Sequence, residues 1–196
     1  MPEYKEIRAI YDNSTIIVYQ AYNKTIATSA VENNKFVEPF NFNRMTWIKP
    51  SFLWMMERSG WGQKPDQEHI LAIKIKRKSF EFALNNSVLS SPDKKVYTSA
   101  EEWKERLKKA KIRIQWDPER NINGGKLEYR SIQIGISHYF VNDYNNDWIV
   151  EIRDITNLAK EIKALLKNGE KEKAISLLPI EEVYPLPNDI KKILGM

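Results

Sequence analysis

Trp116-Asp117-Pro118-Glu119-Arg120 places two carboxylates and an arginine side by side, directly after an alternating run that reads as a strand. Segments just past strand ends commonly carry function. Carboxylates so placed hold a ribose or a metal, or act as a base. Asp-Pro also opens ordinary turns, so a local ion pair accounts for the same residues. Gln133, between Ile132 and Ile134, needs hydrogen-bond partners if its strand is buried, and Arg130 points to the opposite face of that strand. Arg8 and Tyr11 precede the β-branched run Thr15–Gln20, which ends among Tyr19, Gln20 and Tyr22. Gln20 there can bond an amide or a sugar while the tyrosine rings stack, or the rings simply pack half in the core. Trp47, Trp54 and Trp61 recur at a spacing of seven among Arg44, Lys49, Arg58 and Lys64. Flat rings beside cations suit a base or a nucleotide. The same spacing also puts three rings on one helical face looking into a core.

The elements that position these residues follow from periodicity. Thr15–Gln20 is the first strand and Lys24–Glu32 the helix after it, stopped by Asn33-Asn34. Arg44–Lys49 is a short extended piece ended by Pro50, and Ser51 caps a helix that stops at Ser59-Gly60. His69–Lys76 alternates as a strand, Ser79 opens a short helix, and Ser87–Val96 reads as a surface loop. Ser99 and Glu102 form a capping box for a helix through Trp103 and Leu107. Ile112–Trp116 and Tyr129–Ser137 are strands expected to pair through a long connection, Asp117–Gly125, that contains Asn123-Gly124-Gly125. Trp148, Val150 and Ile152 make a last strand, and residues 156–196 read as helical. No linker divides the chain, so residues 1–196 form one α+β domain with a mixed sheet flanked by helices.

Composition narrows the chemistry. The 196 residues are 42% hydrophobic and 29% charged, enough to bury a core without staples. The absence of cysteine removes thiolate catalysis and Cys-ligated metals, and two histidines, His69 and His138 at strand boundaries, make a multi-His centre unexpected; no metal is predicted. Phosphate-loop, dinucleotide, nucleophile-elbow and zincin motifs are missing. A net charge of +5 favours a polyanionic partner. The opening residues have no signal-peptide core and no apolar run reaches membrane length, which gives the expectation of a cytoplasmic protein with no membrane partner.

Arg8-Ala9-Ile10-Tyr11-Asp12, Val18-Tyr19-Gln20-Ala21-Tyr22, the stretch Arg44 to Met56, Arg58-Ser59-Gly60-Trp61, Trp116 to Arg120, Arg130 to Gly135 and Leu194-Gly195-Met196 together resemble domain-of-unknown-function family 4291 over almost the whole chain. The order of elements is also similar to the split-sheet plan of ADP-ribosyltransferase-like folds. That second resemblance implies an early strand holding NAD, here through Gln20, and a catalytic glutamate on a later strand, for which Glu119, Glu128 or the Gln133 position stand. Gln20 departs from the His or Arg of that plan, and Gln133 in place of Glu would lack the charge that stabilises an oxocarbenium ion.

Two functions follow as expectations. One is a nucleotide-binding enzyme of that architecture, using NAD or acting on a nucleic-acid end. Tyr19, Gln20 and Trp54 would hold base and sugar, Arg8, Arg44 and Lys49 the phosphates, and Glu119 or Glu128 would do acid or electrostatic work. Tyr11, Trp47, Arg58, Asp117, Arg120 and Arg130 complete the candidate binding set. The other is a non-catalytic RNA or single-stranded nucleic-acid module built on Trp47, Trp54 and Trp61. The sequence does not speak to oligomeric state.

Overall fold

Isoleucines alternate with polar residues in two neighbouring stretches of chain, and this alternation sets the architecture. Ile112 and Ile114 on one strand, and Ile132, Ile134 and Ile136 on the next, are almost wholly buried, so each strand has one face in the core. The computed structural model describes residues 3–196. In chain order its elements are β1 (Arg8–Ala9), β2 (Thr15–Tyr22), α1 (Lys24–Asn33), β3 (Thr46–Ile48), α2 (Phe52–Ser59), β4 (His69–Lys76), α3 (Arg77–Asn85) and β5 (Ser87–Leu89). There follow α4 (Ala100–Lys109), β6 (Ile112–Arg120), β7 (Lys126–Ile136), α5 (His138–Asp143), a π-helical turn (Tyr144–Trp148) and β8 (Ile149–Asp154). The chain closes with α6 (Thr156–Lys167), α7 (Lys171–Ser176), β9 (Glu182–Val183) and α8 (Asn188–Ile193).

The strands form three sheets, β2-β4-β8, β3-β7-β6-β5 and the short pair β1-β9. All pairings are antiparallel except β5 with β6, so the four-stranded sheet is mixed and the domain is α+β. The two larger sheets meet where Tyr19 of β2 and Lys49, just past β3, exchange backbone hydrogen bonds, Tyr19 N to Lys49 O at 2.7 Å and Lys49 N to Tyr19 O at 3.2 Å. Beside this bridge, the Gln20 amide donates to Thr46 Oγ1 at 2.6 Å and to Tyr22 Oη at 2.8 Å, and accepts from Tyr144 Oη at 2.7 Å.

One core lies between the sheets and under α3, and gathers Ile16, Val18, Ile73, Ile134, Phe80 and Leu84. A second lies on the other side of β2, where Tyr19, Phe52, Met56 and Trp61 meet Ala159 and Ile162 of α6. Gly60, Trp61 and Gly62 all adopt left-handed backbone (φ 59°, 59° and 73°), and this tight reversal after α2 carries the Trp61 ring into that second core.

Three sequence expectations are corrected. Asp117–Arg120 is not part of a connection: β6 runs on through it, and a bulge at Pro118/Arg120 absorbs the proline. Beyond Ile114, β6 has left its pairing with β5 and is an edge, where a missing N–H is tolerated. Ser87–Leu89, expected as loop, is an edge strand parallel to β6. The C-terminal segment is not wholly helical, because Glu182–Val183 pairs with Arg8–Ala9 and carries Tyr184 into the main core. No helix among the described residues is long and apolar enough to cross a membrane.

The same C-terminal segment caps α2. Ser51 Oγ accepts from Trp54 N at 3.1 Å, and Glu181 Oε1 accepts from Phe52 N at 2.6 Å. Burial, with the nearby Glu119 carboxylate, pushes the Glu181 pKa up to about 8 despite that N–H and the Arg8 charge. A carboxyl whose pKa is raised on folding costs nothing below its unfolded pKa and its full penalty above the folded one, so stability falls as pH rises toward 8. Glu181→Gln keeps the acceptor and removes the charge. Urea midpoints are expected to show it stabilising the protein by about 1–2 kcal/mol near pH 8 and by much less near pH 5.

Candidate functional site

The alternation that buries the isoleucines leaves their opposite neighbours on the outer face of the β3-β7-β6 surface. Trp47 sits opposite Gly135, which sits opposite Arg113; Gln133 sits opposite Gln115, and Ser131 opposite Asp117. This face floors a cleft of about 870 Å³. Gln20, Tyr22 and Asn23 of the neighbouring sheet and its following turn line one side, the Phe40–Met45 loop another, and Met55 and Arg58 of α2 a third. A hydrogen atom is all that fits on Gly135, since a Cβ there would stand 2.6 Å from Met45 Sδ and 2.9 Å from the Trp47 ring. The outer edge of the indole therefore packs directly against the Gly135 backbone at the cleft.

Asp117 is held from two sides. Gln115 Nε2 donates to its Oδ1 at 2.9 Å and Gln133 Nε2 to its Oδ2 at 2.7 Å. Lys49 lines the same cleft and is only 4% exposed. Its pKa is brought down to about 8, first by burial and then by the Arg58 charge, with Asp117 acting in the opposite sense. Arg44 and Arg58 are exposed at the rim. The site is thus a carboxylate fixed by two amides, an indole ring, and a buried amine and two exposed guanidiniums that have no ion pair among the described residues.

Of the residues singled out in the sequence, Gln20, Tyr22, Arg44, Trp47, Lys49, Arg58 and Gln133 line this cleft, and Asp117 joins them through its glutamine partners. Gln20 is 3% exposed and both ends of its amide are engaged inside the protein, so it fastens the sheets together at the cleft wall. The rest lie elsewhere. Glu119 is 4% exposed, with its carboxylate accepting from Arg120 N at 2.8 Å. Burial raises its pKa against the pull of that N–H, of Ser51 and Ser131, and of Arg8. Glu128 is exposed near the start of β7. Arg8 pairs with Glu6 at 2.6 Å, and Tyr11 Oη donates to Val183 O at 3.0 Å. Tyr19 is buried against Phe52, and Trp54 is buried with the Arg120 guanidinium 5.5 Å from its ring centre. Arg130 donates to Tyr4 Oη and to Trp116 O beside a smaller hollow of about 470 Å³. Trp47, Trp54 and Trp61 belong to a strand, a helix and the turn after it, so they do not share one helical face.

Gln115 and Gly135 escaped the sequence reading. Gln115 sits in the same alternating register as Asp117, a signal that the Asp-Pro pair masks by resembling the end of a strand. Gly135 could not be marked without knowing that Trp47 crosses it.

An α+β domain with a polar cleft floored by one sheet and walled by another is the class these observations define. A family model described as Domain of unknown function (DUF4291) matches residues 6–184, and the chain belongs to that family. No curated protein matches the sequence.

Lys49 is charged in both folded and unfolded states below about pH 8, where the fold bears the full cost of burying it. Between there and its unfolded pKa the unfolded chain binds more protons, so stability rises with pH. Lys49→Met, which keeps the stem and drops the charge, is expected to raise stability near pH 7 by about 2–3 kcal/mol, with the gain fading toward pH 10 in paired denaturation curves. Gly135→Ala forces the Met45 and Trp47 side chains off the sheet. It is expected to cost about 1–3 kcal/mol by chemical denaturation and to increase the exposure of Trp47 to a collisional quencher.

Proposed function

We propose that the cleft binds a nucleotide, NAD among them, and that the protein is an enzyme of ADP-ribosyltransferase-like architecture acting with NAD or on a nucleic-acid end. The observation that carries this reading is the meeting of Trp47, Arg44 and Arg58 in one cleft, lined also by the two glutamines that clamp Asp117. An indole offers a face to a base or a nicotinamide ring. Exposed guanidiniums offer forked donors to phosphate oxygens. A carboxylate held in place before reaction stabilises positive charge developing at the anomeric carbon of a ribose. The division of the longer strands into two sheets, with α1 following β2, supports the same reading.

The acid of this reading is Asp117 rather than Glu119 or Glu128, since it is the carboxylate held by two glutamines that line the cleft. Lys49, buried at the cleft wall, is less suited to grip a phosphate than the two rim arginines.

Thermal-shift titrations with NAD, ADP-ribose and ATP test the binding. A saturable rise in Tm is expected with at least one of them, equivalent to about 2.7 kcal/mol at a hundredfold excess over Kd. Replacing Arg44 and Arg58 together with alanine is expected to weaken that binding by at least about tenfold, as loss of charged hydrogen bonds does. Asp117→Asn is expected to leave nucleotide binding in place and abolish nicotinamide release from NAD. Failure of all three nucleotides to shift Tm overturns the reading.

A further inference from the structure

We propose that Lys49 is a carbonyl-reactive amine, and that the cleft takes a phosphorylated sugar in its open-chain aldehyde form, captured as an imine on Lys49 Nζ. The proposal rests on the reading of the cleft as a site for a phosphate-bearing ligand, and adds a bond-forming residue to it.

The geometry is that of an amine kept available. Lys49 is 4% exposed, yet it borders the cleft. Lysines this deeply buried are rare unless paired. Here the charges that act on the amine are Arg58 from α2 and Asp117 from β6, with no hydrogen bond to it among the described residues. A desolvated lysine beside another cation is the arrangement that makes this side chain nucleophilic. With its pKa near 8, a substantial part of the amine is neutral at physiological pH, whereas a surface lysine there is almost wholly protonated. Arg44 and Arg58 at the rim would hold the phosphate while the aldehyde end reaches the floor.

The step balances without a further reactant. The amine lone pair adds to the aldehyde carbon as the carbonyl π electrons move to oxygen. Asp117 takes a proton from the nitrogen and returns it to that oxygen, giving a carbinolamine; it then passes the second nitrogen proton to the hydroxyl, the C–O bond breaks, water leaves and C=N forms. Nothing is oxidised or reduced, and water reverses the sequence.

Borohydride trapping tests it. The full chain is incubated at near-neutral pH with ribose 5-phosphate or with ADP-ribose, and sodium borohydride then delivers hydride to any imine and fixes it as a secondary amine. Peptide mapping by mass spectrometry is expected to find Lys49 labelled at least about tenfold more than any other lysine. The labelling rate should rise with pH through a midpoint near 8. Lys49→Arg, checked for native circular dichroism, should lose the principal adduct, and Asp117→Asn should slow its formation. Labelling by ribose 5-phosphate alone assigns a free sugar phosphate; labelling by ADP-ribose alone assigns a nucleotide-borne sugar. Adducts spread evenly over surface lysines, or none at Lys49, overturn the proposal. Should nucleotides raise Tm while Lys49 stays unlabelled, the amine's role falls and the nucleotide reading stands. Lys49 labelling without any nucleotide shift gives the reverse.

Discussion

The two large sheets are fastened at one seam, and the cleft exists because of how that seam is made. Tyr19 and Lys49 exchange backbone hydrogen bonds across it. Next to them Gln20 bonds Thr46 and Tyr22 through its nitrogen and Tyr144 through its oxygen, so strands β2 and β3 and the π-helical turn share one buried polar network. A buried amide left unsatisfied would cost more than its bonds contribute, which makes the seam specific: another register of β3 against β2 would strand these groups. Because β3 passes directly from the seam into Lys49-Pro50-Ser51, the same constraint fixes where the amine enters the cleft and where α2 begins.

From that seam the four-stranded sheet divides its chemistry by face. Ile48, Ile114 and Ile134 lie in one row across three strands and are buried, while Trp47, Gly135 and Arg113 make the adjacent row on the outer side. The period of two in a strand turns one alternating sequence into a core and a site at once. The site face gives up stability in return. Lys49 carries a desolvated charge, and Asp117 has its two oxygens engaged by glutamines rather than by a salt-bridging cation. A fold selected for stability alone would have put an apolar residue at position 49.

The sequence made the strands, most helices and the single α+β domain legible, because periodicity is local. Thr15–Gln20, His69–Lys76, Ile112–Trp116 and the Ser99 N-cap lie where residue pattern or capping chemistry puts them, though the Glu102 carboxylate takes the Thr98 N–H rather than that of Ser99. Gln133 was legible as a polar group in need of a partner, and Asp117 as a carboxylate worth attention. That the two are partners was not, because cross-strand register depends on where β6 ends, and the proline hid two further turns of alternation. The packing of Trp47 on Gly135 and the burial of Lys49 were equally out of reach, since the first joins residues 47 and 135 and the second follows from the pairing of Lys49 with Tyr19 across the seam. The shared spacing of Trp47, Trp54 and Trp61 misled for the opposite reason: Pro50 and the left-handed residues at Gly60 and Trp61 break the period on which it relied.

Two carboxylates two positions apart on β6 end in different surroundings, and what covers each of them is the cause. Ser131, which sits opposite Asp117, is also a neighbour of Glu119, so the two acids are not parted by the faces of the strand. Asp117 lies between Gln115 and Gln133, while Glu119 is buried beside Ser51 at the start of α2 and influences Glu181. The Asp-Pro-Glu sequence thereby separates a carboxylate held by two side-chain amides from one buried against the N-terminus of a helix. The proline between them withholds the N–H that would continue the ladder, and the register shifts there.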